Sequence, residues 1–222
     1  MGTLLQLSLR QMVSRTRMLV VLLLAALPIS LAVLVSILAK GDADFNQGFT
    51  DVLVDGMLIT VVMPIVMMAL STAAFGNELE DRTLSYLVLK PISRSKIVLS
   101  KLMASIIVGG PLLIASGVTA TVLGFGGNTQ AATTTGAALL AGVVTYAAIF
   151  TWAGLVSTRA LSFALLYVFL WEGLISSFLK GVRYMSVRGY TIAVLHGMDK
   201  VSFEALSDRA IEFPAGVVGA LM

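Results

Sequence analysis

An all-α, polytopic membrane fold is what this sequence predicts, and three observations predict it. The 222 residues are 58% hydrophobic and only 12% charged, with a mean hydropathy of +0.96, whereas a soluble domain carries about a quarter charged residues. The apolar residues fall in runs of span length, about 20 residues being enough to cross the hydrocarbon. The charges gather between those runs. Cysteine is absent and His196 is the single histidine, which excludes a disulfide framework, a thiolate nucleophile or ligand, and a multi-histidine metal centre. Basic residues precede a first apolar run of full span length, so that run reads as a retained anchor, not a cleaved signal.

Taken in order, residues 1–17 place Leu5, Leu9, Met12 and Val13 on one helical face and Gln6, Arg10, Ser14 and Arg17 opposite. That pattern suits a helix lying in the membrane interface, and it also suits an ordinary basic flank to a first span. Spans are predicted at about 18–39, 52–75 (opened by Asp51 and Asp55, with Pro64 inside), 97–123 (interrupted at Gly109-Gly110-Pro111), 135–157 and 160–179. A short loop at 40–46 separates the first two, a charge-free glycine and threonine loop at 124–134 precedes the fourth, and Arg159 marks a tight turn. Residues 180–212 form a mixed-charge segment with short interfacial helices, Ser202 being a cap for one. The run 213–222, with Pro214 at a helix start, is too short to cross about 30 Å at about 1.5 Å per residue. It reads as a sixth span cut short, which makes residues 1–222 one six-span bundle.

Between the second and third spans, charges cluster. Asn77 is placed to cap a short helix, with Glu80 completing a capping-box-like pattern and acids at its positive end. Leu84, Leu87 and Val88 share one face, away from Glu80, Asp81 and Ser85. Pro91 stops the element, and Ser93 caps a new helix carrying Arg94, Lys96 and Lys101 at its base. The reading is a helical elbow outside the bilayer, shaped to be gripped; a plain connector needs neither cap nor apolar face.

Orientation follows from the basic residues. Arg10, Arg15, Arg17, Arg82, Lys90, Arg94, Lys96, Lys101 and Arg159 lie on one side, against Lys40, Lys180, Arg183, Arg188, Lys200 and Arg209 on the other. Because a long segment weighs little in the rule, the contrast without 180–212 is nine to one. The N-terminus and elbow are therefore expected in the cytoplasm.

The run FGNELEDRTLSYLVLKPISRSKIVLSKL resembles the signature of type-2 ATP-binding-cassette (ABC) transporter permeases, at Glu78, Glu80, Arg82, Thr83, Leu84, Leu87, Pro91, Ile92, Ser93, Arg94 and Lys101. LWEG at 170–173 and RYMSVRGY at 183–190 are also similar to some members. The order of elements resembles the family's: an interfacial helix, six spans with both ends cytoplasmic, and an outer helical segment before the last span. The resemblance departs at that last span, which is incomplete here.

The resemblance implies that the elbow, 77–92, is a coupling helix seated in a cleft of a separate ATPase subunit, its residues from Glu78 through Asp81 to Arg94 making the contact. It implies two ATPase chains carrying ATP and Mg, a second permease chain (the same or a homologue), export, and a multi-pass place in the cell membrane of a bacterium or archaeon. An apolar helix face would fill the groove, and a charged edge would set its orientation. This chain has no GxxxxGK[ST] motif, so the hydrolysis belongs to the partner and this chain is not itself an enzyme. No nucleic-acid partner or resident cofactor is indicated.

Glu172 lies in the fifth span, about 10 Å inside its outer end, where an ionisable group costs about 2.5–3.5 kcal/mol if central and less near the interface. Two readings are open: a carboxylate on the substrate or proton path, or a hydrogen-bonding group held by the outer loop, Lys180 or Arg183. Pro64, Gly109, Gly110 and Pro111 are candidates for loosened helices lining a path. Ala138 and Gly142 suit close helix approach, and His196 reads as a surface residue. An intramembrane hydrolase would need a base within the spans and no histidine lies there; a passive pore would need polar rings. A membrane scaffold or mechanical-signalling partner of an ABC ATPase, without export, is the alternative to a transporter.

Overall fold

In a computed structural model of the chain, residues 2–38, 48–80, 93–157, 159–175 and 180–212 are described. They are helical throughout, with no strand among the described residues. Helix α1 (Gly2–Met12) turns at Val13 and Ser14 into α2 (Arg15–Leu38). A π-wound stretch, Phe49–Val62, runs into α3 (Met63–Ser71) and α4 (Ala73–Glu80). Helices α5 (Arg94–Gly124), α6 (Thr129–Val156) and α7 (Ala160–Leu166) follow, α7 passing into a second π-wound stretch, Tyr167–Ile175. After a 3-10 turn, Lys180–Met185, come α8 (Val187–Met198) and the 3-10 turn Glu204–Leu206.

Among the described residues, four helices are long and apolar enough to cross a membrane: Arg15–Leu38, Phe49–Gly76, Arg94–Gly124 and Thr129–Val156; Ala160–Leu174 is a shorter apolar helix. The sixth run, 213–222, lies outside the described residues. Burial separates their roles. In its most apolar window Phe49–Gly76 is 61% buried, against 22% for Arg15–Leu38, so the former is the axis and the latter the rim. Met63, Val66, Met67 and Leu70 of α3 are wholly enclosed, while Leu19, Leu23, Leu34 and Ile37 of α2 are exposed, as suits side chains that face lipid tails.

The prolines of the second and third span helices act differently. Pro64 sits in the first turn of α3 and has no N–H to bond the Thr60 carbonyl. The winding upstream widens to i→i+5 bonds: Met63 N–H donates to the Leu58 carbonyl, and Thr60 Oγ1 donates to the Asp55 carbonyl at 2.7 Å. By contrast α5 runs unbroken through Gly109-Gly110-Pro111, where an interruption was expected. Those glycines serve packing: a Cβ at Gly109 would stand 2.9 Å from Leu70 Cδ1 and from Met67 Sδ, so its absence lets α5 press on α3. Pro111 faces outward. Gly142 plays the same part on α6, where a Cβ would stand 2.7 Å from Met63 Cε and 2.8 Å from Thr191 Oγ1.

The loop before the fourth span is also shorter than expected. Positive φ at Gly126 and Gly127 makes the turn, and the Asn128 side chain accepts from the backbone N–H of Gln130 and Ala131, starting α6 at Thr129. Asn77 does not cap a helix; it lies within Ala73–Glu80, because helical bonding continues across Thr72 through Gly76 N–H to the Thr72 carbonyl at 2.9 Å. Ser202 is not a cap either: its N–H donates to Asp199 Oδ1, and Phe203 stands at the start of the 3-10 turn.

The alternating helices define two ends. The near end holds α1, the start of α5 and the departure of the 81–92 connection. The far end holds the 125–128 turn and the 180–212 segment. That segment closes over the bundle, with Phe203 and Leu206 fully buried and Phe125 in edge contact with Phe49 and Phe203, centroids 5.5 and 5.4 Å apart.

Where α6 crosses the α3–α4 junction, a Cβ on Gly154 would lie 2.8 Å from the Thr72 carbonyl oxygen and 3.2 Å from its Cα. Backbone cannot yield as a side-chain tip can. Gly154→Ala is expected to destabilise the protein by about 1–3 kcal/mol in thermal or denaturant unfolding in detergent. Gly76→Ala, with nothing within 4 Å of the new methyl, should be neutral by the same measure.

Candidate functional site

The far end concentrates charge that the apolar runs exclude elsewhere. Asp55, in the π-wound stretch of the second span helix, has no exposed side-chain surface. Arg188, from the first turn of α8, grips it in fork geometry, Nε to Oδ1 at 2.8 Å and Nη2 to Oδ2 at 2.7 Å. Arg209 reaches the same Oδ2 from Nη1 at 2.8 Å and pairs with Asp51 Oδ1 at 3.1 Å. A lone carboxylate in such a place would be too costly to ionise; two guanidinium groups, one bidentate, offset that cost. Burial works against the charged form of Arg188, but the hydrogen bonds and charge of Asp55, with Glu172 behind it, outweigh it and raise the pKa above the ordinary arginine value.

Glu172 is the second buried acid, 1% exposed, and it too lies in a π-wound stretch, Tyr167–Ile175. Tyr167, five residues earlier, donates its hydroxyl to Glu172 Oε1 at 3.0 Å, the i, i+5 spacing that such winding aligns. The other donors come from the start of α8: Ser186 Oγ to Oε2 at 2.5 Å, Val187 N–H to Oε1 at 2.8 Å and Arg188 N–H to Oε2 at 3.2 Å. Ser186 meanwhile caps α8 by accepting from Gly189 N–H at 3.2 Å. Glu172 is thus a carboxylate at a helix N-terminus, a favourable place for negative charge. Of its two sequence readings, the geometry is that of a hydrogen-bonding group held by the outer segment. Of the two basic residues suggested as partners, Arg183 donates its Nη1 to the Asp208 carbonyl at 2.8 Å, and the side chain of Lys180 lies outside the described residues.

Tyr146 of α6 is fully buried and within electrostatic reach of Arg188, with its ring stacked on Phe150 at 5.4 Å. His196 is half-buried, its Nδ1 3.1 Å from the Phe203 carbonyl, so it ties α8 to the following turn. No group of three or more histidine, cysteine or acidic residues suited to a metal occurs among the described residues.

The other expected site residues are spread over the bundle. Glu78 and Glu80 fall in the backbone of α4. Asp81, Arg82, Thr83, Leu84, Leu87, Val88 and Pro91 lie outside the described residues. Ser93 occupies the N-cap position of α5 in extended geometry, without a side-chain capping bond, and Arg94 opens the helix. Pro64 lies in α3, Gly109 faces α3, and Gly110 faces Val143 of α6. The structure joins Glu172 to Asp55 through Arg188, and that pair was not foreseen. The signal was present: an aspartate four residues into an apolar run, with arginines in a segment that returns to the same end, since an intramembrane acid calls for a named partner.

The fold and this site define a polytopic helical membrane protein whose far end is locked by a buried charge network. A family model described as ABC-2 family transporter protein matches residues 12–187, and the chain belongs to that family of ABC transporter membrane subunits. Comparison with the curated proteins and with the solved structures gives no match.

Removing one partner of a buried ion pair costs far more than removing an exposed one. Arg188→Met is expected to lose about 3–5 kcal/mol of stability, and Arg209→Met, 41% exposed, about 1 kcal/mol or less. Chemical unfolding in detergent would rank them, and equal losses would contradict the geometry. Glu172→Gln removes a charged acceptor worth about 1.5–3 kcal/mol per bond, so amide exchange at Val187–Gly189 is expected to quicken at least tenfold. Unchanged exchange would mean that Glu172 does not hold the start of α8.

Proposed function

We propose that this chain is the membrane-spanning subunit of an ATP-driven exporter, driven through residues 77–92 by a separate ATPase chain. The observation that carries the reading is the family match over residues 12–187, in a chain without a phosphate-binding loop of its own. The geometry supports it. The two ends of the proposed coupling region, the end of α4 and the start of α5, leave the same end of the bundle, where α1 packs against both through Leu5, Leu9 and Met12. In this reading the near end is cytoplasmic, α1 lies in the membrane interface, and 213–222 begins a sixth span. Two permease chains and two ATPase chains, with ATP and Mg on the latter, form the working assembly in the cell membrane.

Closure of the ATPase chains would displace the two coupling regions, and the long helices behind them would carry the motion. At the far end, which the reading places outside, Asp55, Glu172, Arg188 and Arg209 hold the 180–212 segment over the bundle. Export requires that cover to shift as a unit, since sliding α8 alone would strand charges.

Leu84→Asp with Leu87→Asp places two charges on the apolar face that would enter the ATPase. Loss of anchor residues at a groove costs about 2 kcal/mol or more each, so affinity for the co-expressed ATPase is expected to fall at least 100-fold in a pull-down. The purified double variant should keep the thermal midpoint of the parent protein. Undiminished co-purification would sink the coupling assignment.

A further inference from the structure

Lys101 is among the most enclosed charged residues at the near end, 3% exposed, on a helix otherwise turning apolar. A buried ammonium is tolerated only where its charge is met. Here Nζ donates to the Ala74 carbonyl and lies 4.6 Å from the centre of the Phe75 ring, within cation–π range. Ala74 and Phe75 belong to α4 and are themselves buried, in a small cluster with Met12, Ile97 and Ala104 that stands apart from the main core. The lysine therefore crosses from the root of one arm of the 81–92 connection to the root of the other. Phe75 holds the stem's end and the Ala74 carbonyl fixes its height along α4.

A loop hung from two helices transmits a push only if its roots move together; if they splay, the displacement is lost in the joint. We propose that Lys101 is a positioning residue that binds the two roots of the coupling region into one rigid body, so that force on residues 77–92 reaches both spans together. The role rests on the function proposed above. Apolar packing from α1 supports the joint but sets no register, since it lacks direction. The ammonium supplies the directional contact.

The chain has no cysteine, so spin labels at Gly76→Cys and Lys96→Cys report the joint alone. Gly76 has room for a side chain and Lys96 is exposed. In the purified permease, Lys101→Met is expected to broaden the label–label distance distribution at least twofold, and Lys101→Arg to restore it. In the permease–ATPase complex, Lys101→Met should reduce the change in ATP hydrolysis caused by complex formation at least threefold, with ATPase affinity unchanged; Lys101→Arg should recover most of it. Should Lys101→Met fail to yield folded protein, Lys101→Gln, a shorter neutral donor, takes its place with the same expectations. An unaltered distribution overturns the tie, and a broadened one with unaltered hydrolysis overturns its role in coupling. Absence of any ATPase binding by the parent protein would instead overturn the function itself, and the role with it.

Discussion

Asp55 is a carboxylate without exposed surface on an otherwise apolar helix, and the far end of the molecule is arranged to hold it. Its two cations both come from the 180–212 segment, so that segment cannot leave without abandoning a buried charge. Glu172 binds the same segment by a different route, through the free N–H groups of α8. A hydrophobic cover could have been as stable, because burying ions costs much of what pairing returns. What the ionic contact adds is direction: Arg188 in fork geometry admits one rotation of α8 and one height on the second span helix.

The rest of the bundle is held differently. Between helices in lipid there is little hydrophobic drive, and close van der Waals contact takes its place. Gly109, Gly142 and Gly154 each remove the one methyl that would keep neighbouring helices apart. A hydroxyl adds a tether between helices: Ser116 Oγ donates to the Ala25 carbonyl of α2 at 2.5 Å. Packed centre, ionic far end and the enclosed lysine at the near end divide the work of holding the molecule.

The apolar runs were legible because length against hydrocarbon thickness is a one-dimensional property. Helix ends were less so. The start of α6 depends on two hydrogen bonds to Asn128, and its threonine-rich first turns look like loop by composition. Asn77 has the chemistry of a cap but lies where an incoming helix still has partners for its bonds. Gly109-Gly110-Pro111 reads as a break, yet a proline whose ring faces outward, on a long helix packed along its length, leaves the backbone helical. The charge network was hidden for a different reason. Asp55 and Arg188 stand far apart in the chain, and only the return of the 180–212 segment to the far end brings them together. Glu172 could be singled out because it stands alone in its run; its donors could not, since two of them are backbone N–H groups.

Asp55 and Glu172 both sit in widened helical winding, and that has a consequence for how the sequence can change. An α-helix advances about 100° per residue, and a π turn accommodates one residue more than an α turn between the same two hydrogen-bonded levels. Deleting a single residue from one such turn between Asp55 and Pro64 would let it relax into ordinary winding, with the levels on either side facing nearly as before. The same deletion in the α-wound part of the helix beyond Pro64 would swing everything toward Phe49 around the axis by about that angle. The carboxylate would then point away from its arginines although no charge had been removed, so length variation is harsher in the α-wound part of this helix than in its π-wound part.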